Sequence, residues 1–196
     1  TTAMTFCSTV NVIVHCGAMP VLCDVDERSK NIRVDEIEKK ITARTKAIIP
    51  VHYAGYPCNM SEICELADRH EIYVVEDCAH AIEAKHRGKH CGTYGDVGCF
   101  SFYATKNLAI GEGGMAISSK EPIIGRMAQL GLHGMSKDAW RRFADSQKKS
   151  YDVTEIGYKM NLTDLQSAIG LAQLERIDDM YTRRQQLWDR YDAELK

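Results

Sequence analysis

Lys106 stands in the run Gly98 to Met115, GCFSFYATKNLAIGEGGM, among small, apolar and glycine-rich neighbours. Burial in such company disfavours an ammonium ion, and a lysine that loses its proton is a nucleophilic amine able to condense with a carbonyl into a Schiff base. Upstream, the run Ile72 to Ala81, IYVVEDCAHA, reads as a buried strand ending in paired carboxylates and a histidine. An amine and an acid at neighbouring strand ends suit a particular cofactor. Pyridoxal phosphate needs a lysine to hold its aldehyde and an acid to keep its ring nitrogen protonated, so that the ring can take electrons from a substrate carbon. Lys106 and Asp77 have the chemistry for those two tasks. Residue types alone leave open a blander pair, a solvated lysine in a turn and an ordinary α/β strand end.

The elements that must position these residues alternate between helix and strand. An apolar helical pattern runs from Phe6 to His15 and stops at Gly17, and Pro20 to Val25 reads as a short buried strand. Val34 to Ile41 is helical and Lys46 to His52 a strand. Asn59 and Glu62 have capping-box spacing and open a helix reaching Arg69, before a strand from Ile72 to Val75. Strands follow near Val97 to Tyr103 and Gly114 to Ser118, with Pro122 in the first turn of a helix. Thr163 and Gln166 form a second capping box, opening a long amphipathic helix that carries Leu165, Ile169, Ala172, Ile177, Leu187, Trp188 and Tyr191. Strands separated by crossover helices imply an α/β fold with a mainly parallel sheet flanked by helices. Ligands of such sheets sit at the carboxyl ends of the strands, where Asp77 lies and Lys106 follows.

From Thr5 to about Leu195 the chain resembles the nucleotide-sugar aminotransferases of the DegT, DnrJ and StrS type, within the fold-type I pyridoxal-phosphate enzymes. The resemblance is carried by TKAIIPVHYAGYP (Thr45 to Pro57), VVEDCAHA (Val74 to Ala81), GDVGCFSFYATKN (Gly95 to Asn107), GEGGM (Gly111 to Met115) and EIGYKMNLTDLQSAIGLAQLERID (Glu155 to Asp178). It implies that Lys106 is the Schiff-base lysine and also moves protons between the substrate carbon and the cofactor. Asp77 matches the acid that pairs with the pyridine nitrogen, and its neighbour Glu76 is read as structural. His80 corresponds to a Gln or His beside the ring that contacts the phenolic oxygen, although a satisfied buried histidine explains it as well. Phe6 corresponds to an aromatic that stacks on the pyridine face, although a Phe opening an apolar helix is more often core. Strand alternation turns Ser101 away from Phe100 and Phe102, and the family places that serine on the cofactor phosphate. Asn161 matches a residue that reaches the phosphate of the neighbouring subunit, which implies a homodimer with shared sites; a turn residue before a helix N-cap is the simpler alternative.

The activity so implied is transfer of an amino group, from glutamate by family habit, to a nucleotide-linked ketosugar for amino-sugar and polysaccharide biosynthesis. YKMNLTD and PVHYAGYP lie closest to members that aminate carbon 4, including those that make 4-amino-4-deoxy-arabinose for lipid A. Some relatives are sugar dehydratases with histidine in place of the lysine, and Lys106 argues against that chemistry. A non-catalytic module that kept the fold is the rival from another class.

Composition agrees with this reading. A chain of 196 residues, 44% hydrophobic and 27% charged, can bury a substantial core. A net charge of −2 offers no electrostatic case for nucleic acid or an anionic membrane. The eight cysteines form no C-x-x-C pair, and reduced thiols in a cytoplasmic protein account for them. A zinc site from His86, His90 and Cys91 lacks a second ligand pair, so no metal is expected. No run reaches the ~18 apolar residues of a membrane span, and the first residues do not read as a signal peptide. The chain opens on TTAMTF and closes on Glu194-Leu195-Lys196 inside a helical pattern with no glycine cap, which suggests a piece of a longer protein. Residues 1–162 then read as a cofactor-binding domain lacking its amino-terminal part, and 163–196 as a helix leading toward an absent small domain.

Overall fold

Strand pairing sets the architecture of the computed structural model, which describes residues 1–136 and 152–195. Ala47–Ile48 (β1) and Tyr73–Asp77 (β2) pair in parallel. After a small antiparallel hairpin, Lys85–His86 (β3) with Lys89–His90 (β4), the strand Val97–Ser101 (β5) joins β2 in parallel. Gly114–Ile117 (β6) then closes the sheet antiparallel to β5, giving the order β1-β2-β5-β6. The expected mainly parallel sheet is present, with β6 as its antiparallel edge.

Six α-helices accompany these strands among the described residues: Cys7–His15 (α1), Val34–Lys40 (α2), Met60–Arg69 (α3), Glu121–Gly131 (α4), Asp164–Leu174 (α5) and Ile177–Glu194 (α6). Buried positions in α3 recur at Met60, Ile63, Leu66 and Ala67, the spacing of one helical face. They pack with Ile37 of α2, Ile48 of β1 and Val74 of β2 in the larger core cluster. Full burial of Ile63 and Leu66 contributes about 1.5–3 kcal/mol each, enough to hold α3 against β2 although the start of the helix is poorly capped. A second cluster of Phe102, Leu108 and Ile110 meets Leu162 and Ile177, which ties the segment after β5 to the carboxyl-terminal helices.

Several local expectations give way. Asn59 precedes α3 but makes no side-chain cap bond, and its Oδ1 is buried without a partner. Its ψ of 73° lies away from the extended value that aims an N-cap oxygen at the helix amides. Thr163, at ψ 157°, forms the complete box with Gln166. The strand expected over Lys46 to His52 shrinks to β1 plus one bridge, Val51 to Asp77, because Pro50 between them has no N–H to give to the ladder. Pro20 to Val25 forms only isolated bridges, from Cys23 to Thr2 and from Val25 to Ile32. The long helix from Thr163 is two helices, since the backbone leaves the helical region at Arg176, with φ −106° and ψ 5°. Its apolar residues are not buried within this chain: Leu165 is 81% exposed and Trp188 70%. No helix among the described residues is long and apolar enough to cross a membrane.

Candidate active site

Two adjacent carboxylates on β2 meet opposite surroundings because successive strand side chains point to opposite faces. Glu76 shares the α3 face with Val74 and is fully buried, whereas Asp77 lies on the other face and is partly open. The pairing register sets Asp77 beside Cys99 and Glu76 beside Gly98. Ser101, two residues beyond Cys99, therefore shares the face of Asp77, while Phe100 takes the face of Gly98.

Both oxygens of Asp77 accept hydrogen bonds. Thr9 Oγ1, from α1, donates to Oδ2 at 2.8 Å, and the Ala79 N–H donates to Oδ1 at 3.1 Å. Thr9 is the one buried residue of α1, and Thr5 Oγ1 lies 2.7 Å behind its hydroxyl. Asp77 takes part in no ion pair among the described residues. It is thus an oriented carboxylate with lone pairs left for one more donor.

Glu76 is saturated instead. Its Oε1 accepts from the N–H groups of Tyr94 and Gly95, each at 2.7 Å, and its Oε2 from the Gly92 N–H at 2.7 Å and from His52 Nε2 at 3.1 Å. His52 Nδ1 accepts from the Cys58 N–H at 3.0 Å, so the imidazole is the neutral tautomer carrying its proton on Nε2. Burial pushes the Glu76 carboxyl up, but the bonds from His52, Gly95 and Gly92 outweigh it and hold the group below its ordinary value. The loop can reach Glu76 because residue 98 is glycine: a Cβ there would stand 2.2 Å from the Gly92 carbonyl oxygen. His52, Glu76 and Cys78 lie close enough to ligate an ion, yet the imidazole and carboxylate are already fully engaged and burial keeps the Cys78 thiol protonated. Glu76 is a structural staple, as its neighbourhood in the sequence suggests. Cys58 and Cys91 are likewise pushed up to about 12 by burial, which leaves these thiols inert.

Lys106 sits in the turn after β5, partly buried, with its N–H donating to the Tyr103 carbonyl at 2.9 Å. The turn is fixed on both sides: Asn107 Nδ2 donates to Glu83 at 3.0 Å, Glu83 also pairs with Arg184 of α6, and the Gln173 side chain of α5 accepts from the Ala109 N–H at 3.1 Å. His80 is exposed at the surface of the same region. Partial desolvation lowers the affinity of its imidazole for a proton, the Lys106 ammonium adds to that, and Asp77 opposes it. Lys106 and Asp77 therefore each stand within electrostatic reach of His80. Phe6, at the N-cap of α1 and one turn before Thr9, is 77% exposed, so it is no part of the core within this chain. Asn161 is exposed just before α5, and its amide reaches only the Leu162 carbonyl among the described residues. Of the residues picked out by sequence, Asp77, His80, Ser101 and Lys106 come together at the carboxyl ends of β2 and β5, and Phe6 adjoins them through α1. Thr9 and the Gly92–Gly95 loop escape sequence reasoning; the hydroxyl pair Ser8 and Thr9 in a mostly apolar helix is the one signal for the first.

The sequence profile of the DegT/DnrJ/EryC1/StrS aminotransferase family matches residues 1–196. The spore coat polysaccharide biosynthesis protein SpsC of Bacillus subtilis is 47% identical over 193 residues, 98% of this chain and 50% of that protein. The sugar aminotransferase CalS13 of Micromonospora echinospora superposes with a TM-score of 0.88 at 34% identity, covering 99% of this chain and 53% of its own. Spr1654 of Streptococcus pneumoniae, solved in its PMP-form, gives a TM-score of 0.89 at 32% identity over 97% of this chain and 53% of its own, and its PLP-form also matches. The chain spans about half the length of the relatives it matches.

Proposed function

Because the chain belongs to the DegT/DnrJ/EryC1/StrS aminotransferase family, whose cofactor is pyridoxal phosphate, we propose that it is the cofactor-holding part of an enzyme that aminates a nucleotide-linked ketosugar. Asp77 carries this reading: an ionised carboxylate, fixed by two donors and in no ion pair among the described residues, fits the N–H of a protonated pyridine ring. When bound, the cofactor supplies an aldehyde for an amine to capture and a ring that takes up electrons from the substrate carbon.

This chain's residues then divide the remaining work. Lys106 Nζ would hold the cofactor's aldehyde and, as a free amine, would carry a proton to and from the substrate carbon. Asp77 accepts the ring N–H and keeps the ring cationic. His80, whose proton affinity is lowered by its partial burial and by Lys106, stays neutral near pH 7 and bonds the phenolic oxygen. Phe6 offers its open face to the ring, and the Ser101 hydroxyl, on the face of Asp77, donates to the phosphate. Asn161, exposed before α5, serves the phosphate of a second copy, which makes the working unit a homodimer with shared sites. Glutamate is the amino donor in this reading, residues 1–162 form the cofactor-binding domain, and the enzyme works in the cytoplasm. Its product enters surface polysaccharide, in keeping with the name of SpsC.

Borohydride reduction of the full-length protein with bound pyridoxal phosphate, followed by peptide mapping, tests the reading. The phosphopyridoxyl group is expected on Lys106. Its recovery on Lys85, Lys89 or Lys120 overturns the assignment.

A further inference from the structure

The hydrogens of the Asp77 site have a fixed direction. A threonine hydroxyl has a single hydrogen, and a carboxylate flanked by two donors has none, so Thr9 Oγ1 must give its hydrogen to Asp77 Oδ2. The 2.7 Å contact between the two hydroxyls is then Thr5 donating to Thr9. The result is a one-way chain, Thr5 to Thr9 to Asp77, that ends on an anion. Each link polarises the next in the same sense, and a donor to a charged acceptor is among the stronger hydrogen bonds. The Ala79 N–H locks the other oxygen, so the carboxylate plane cannot rotate without breaking a bond.

The chain also joins two distant parts of the sequence. Thr9 and Asp77 are 68 positions apart, and Thr9 is the sole buried residue of a helix whose Val12 and Val14 are exposed. Val10 and Ile13 of the helix are half-buried, so the Thr9 hydroxyl adds a polar tie to a partly apolar seat. Phe6 opens the same helix one turn earlier, so the bond that orients Asp77 also sets where the aromatic stands.

We propose that Thr9, backed by Thr5, is a positioning residue for the cofactor's ring nitrogen: it holds the Asp77 carboxylate aimed. This rests on the reading of Asp77 as the partner of that nitrogen. Thr9 touches neither substrate nor reacting atoms and acts through Asp77 alone.

The test compares Thr9→Val, Thr9→Ser, Asp77→Asn and the Thr9→Val/Asp77→Asn double variant of the full-length protein. Two quantities are read: the Kd for pyridoxal phosphate by absorbance titration, and the chemical shift of cofactor labelled with 15N at the ring nitrogen. Thr9→Val should weaken cofactor binding about tenfold, the scale of one charged-group hydrogen bond, and move the 15N signal toward that of neutral pyridine. Thr9→Ser keeps the donor and should stay within about twofold of the parent in Kd, with an unmoved 15N signal. In the Asp77→Asn background, Thr9→Val should add nothing. If Thr9→Val does not fold, Thr9→Ala, which removes volume from the site, carries the same expectation. Parent-like Kd and 15N shift in Thr9→Val, with both altered in Asp77→Asn, overturns the role of Thr9 and leaves Asp77 standing. Parent-like values in Asp77→Asn overturn the reading of Asp77 itself.

Discussion

Exchanging Glu76 for Gln keeps the shape of the side chain and replaces one acceptor oxygen by an NH2 donor. The carboxylate serves four donors, two on each oxygen. A glutamine can turn its oxygen toward the Tyr94 and Gly95 amides and keep those two bonds. Its NH2 then faces the Gly92 N–H, which has no other tautomer to adopt. It also faces His52, whose Nε2 can become an acceptor only by moving the proton to Nδ1, where the Cys58 N–H already points. Either choice loses two bonds. Each hydrogen bond to a charged group is worth about 1.5–3 kcal/mol, so Glu76→Gln should lower stability by about 3–6 kcal/mol. That is a large part of the ~5–15 kcal/mol by which a typical domain is stable. Urea unfolding followed by circular dichroism measures it, with the midpoint falling at unchanged slope. A loss below about 1 kcal/mol would show that the 92–95 loop is held by something other than this carboxylate.

The neighbouring carboxylate should behave in the opposite way. Asp77→Asn should leave folding stability within about 1 kcal/mol, since Thr9 and Ala79 can still donate to an amide oxygen or rearrange at a partly open site, while turnover falls about 10²-fold or more; unfolding curves and steady-state transamination separate the two effects. Acid should weaken the fold through Glu76. Its folded value is depressed, so the stability it contributes is fully present above its ordinary value of 4.5 and is lost as pH falls through the lower folded value. Unfolding free energies measured from pH 7 down to 3 should decline on that limb in the parent and be flatter in Glu76→Gln, and parallel curves would refute the linkage.

Part of the candidate site is legible in the sequence. The amine of Lys106 and the acid of Asp77 fall near the ends of neighbouring strands, while the roles proposed for them rest on the family resemblance, since residue types alone leave a blander pair open. The helix from Cys7 to His15, its stop at Gly17 and the Thr163 capping box follow from local rules, and they hold. What the local view cannot contain is long-range. Glu76 and Gly98 share a role only through the β2 and β5 pairing, which no spacing rule reports. Thr9 reads as one more β-branched residue in an apolar helix until Asp77 is placed beside it. Asn59 has the right type and spacing for a cap but the wrong ψ. The break at Arg176 has neither glycine nor proline to signal it.

The division of labour between Glu76 and Asp77 also guards the assembly of the sheet. A slip of β2 by a single residue would turn Asp77 toward the 92–95 loop and Cys78 toward the site. Aspartate is one methylene shorter than glutamate and would not span to the three amides that Glu76 gathers. A misaligned strand thus forfeits the staple along with its apolar contacts, and the error is penalised before any cofactor arrives. The same logic reaches into mutational history. A residue lost within Tyr73–Asp77 would put Asp77 in the place of Glu76 and Cys78 in that of Asp77, so lineages that lengthen or shorten here should do so in the turn before the strand and leave these five positions uncut.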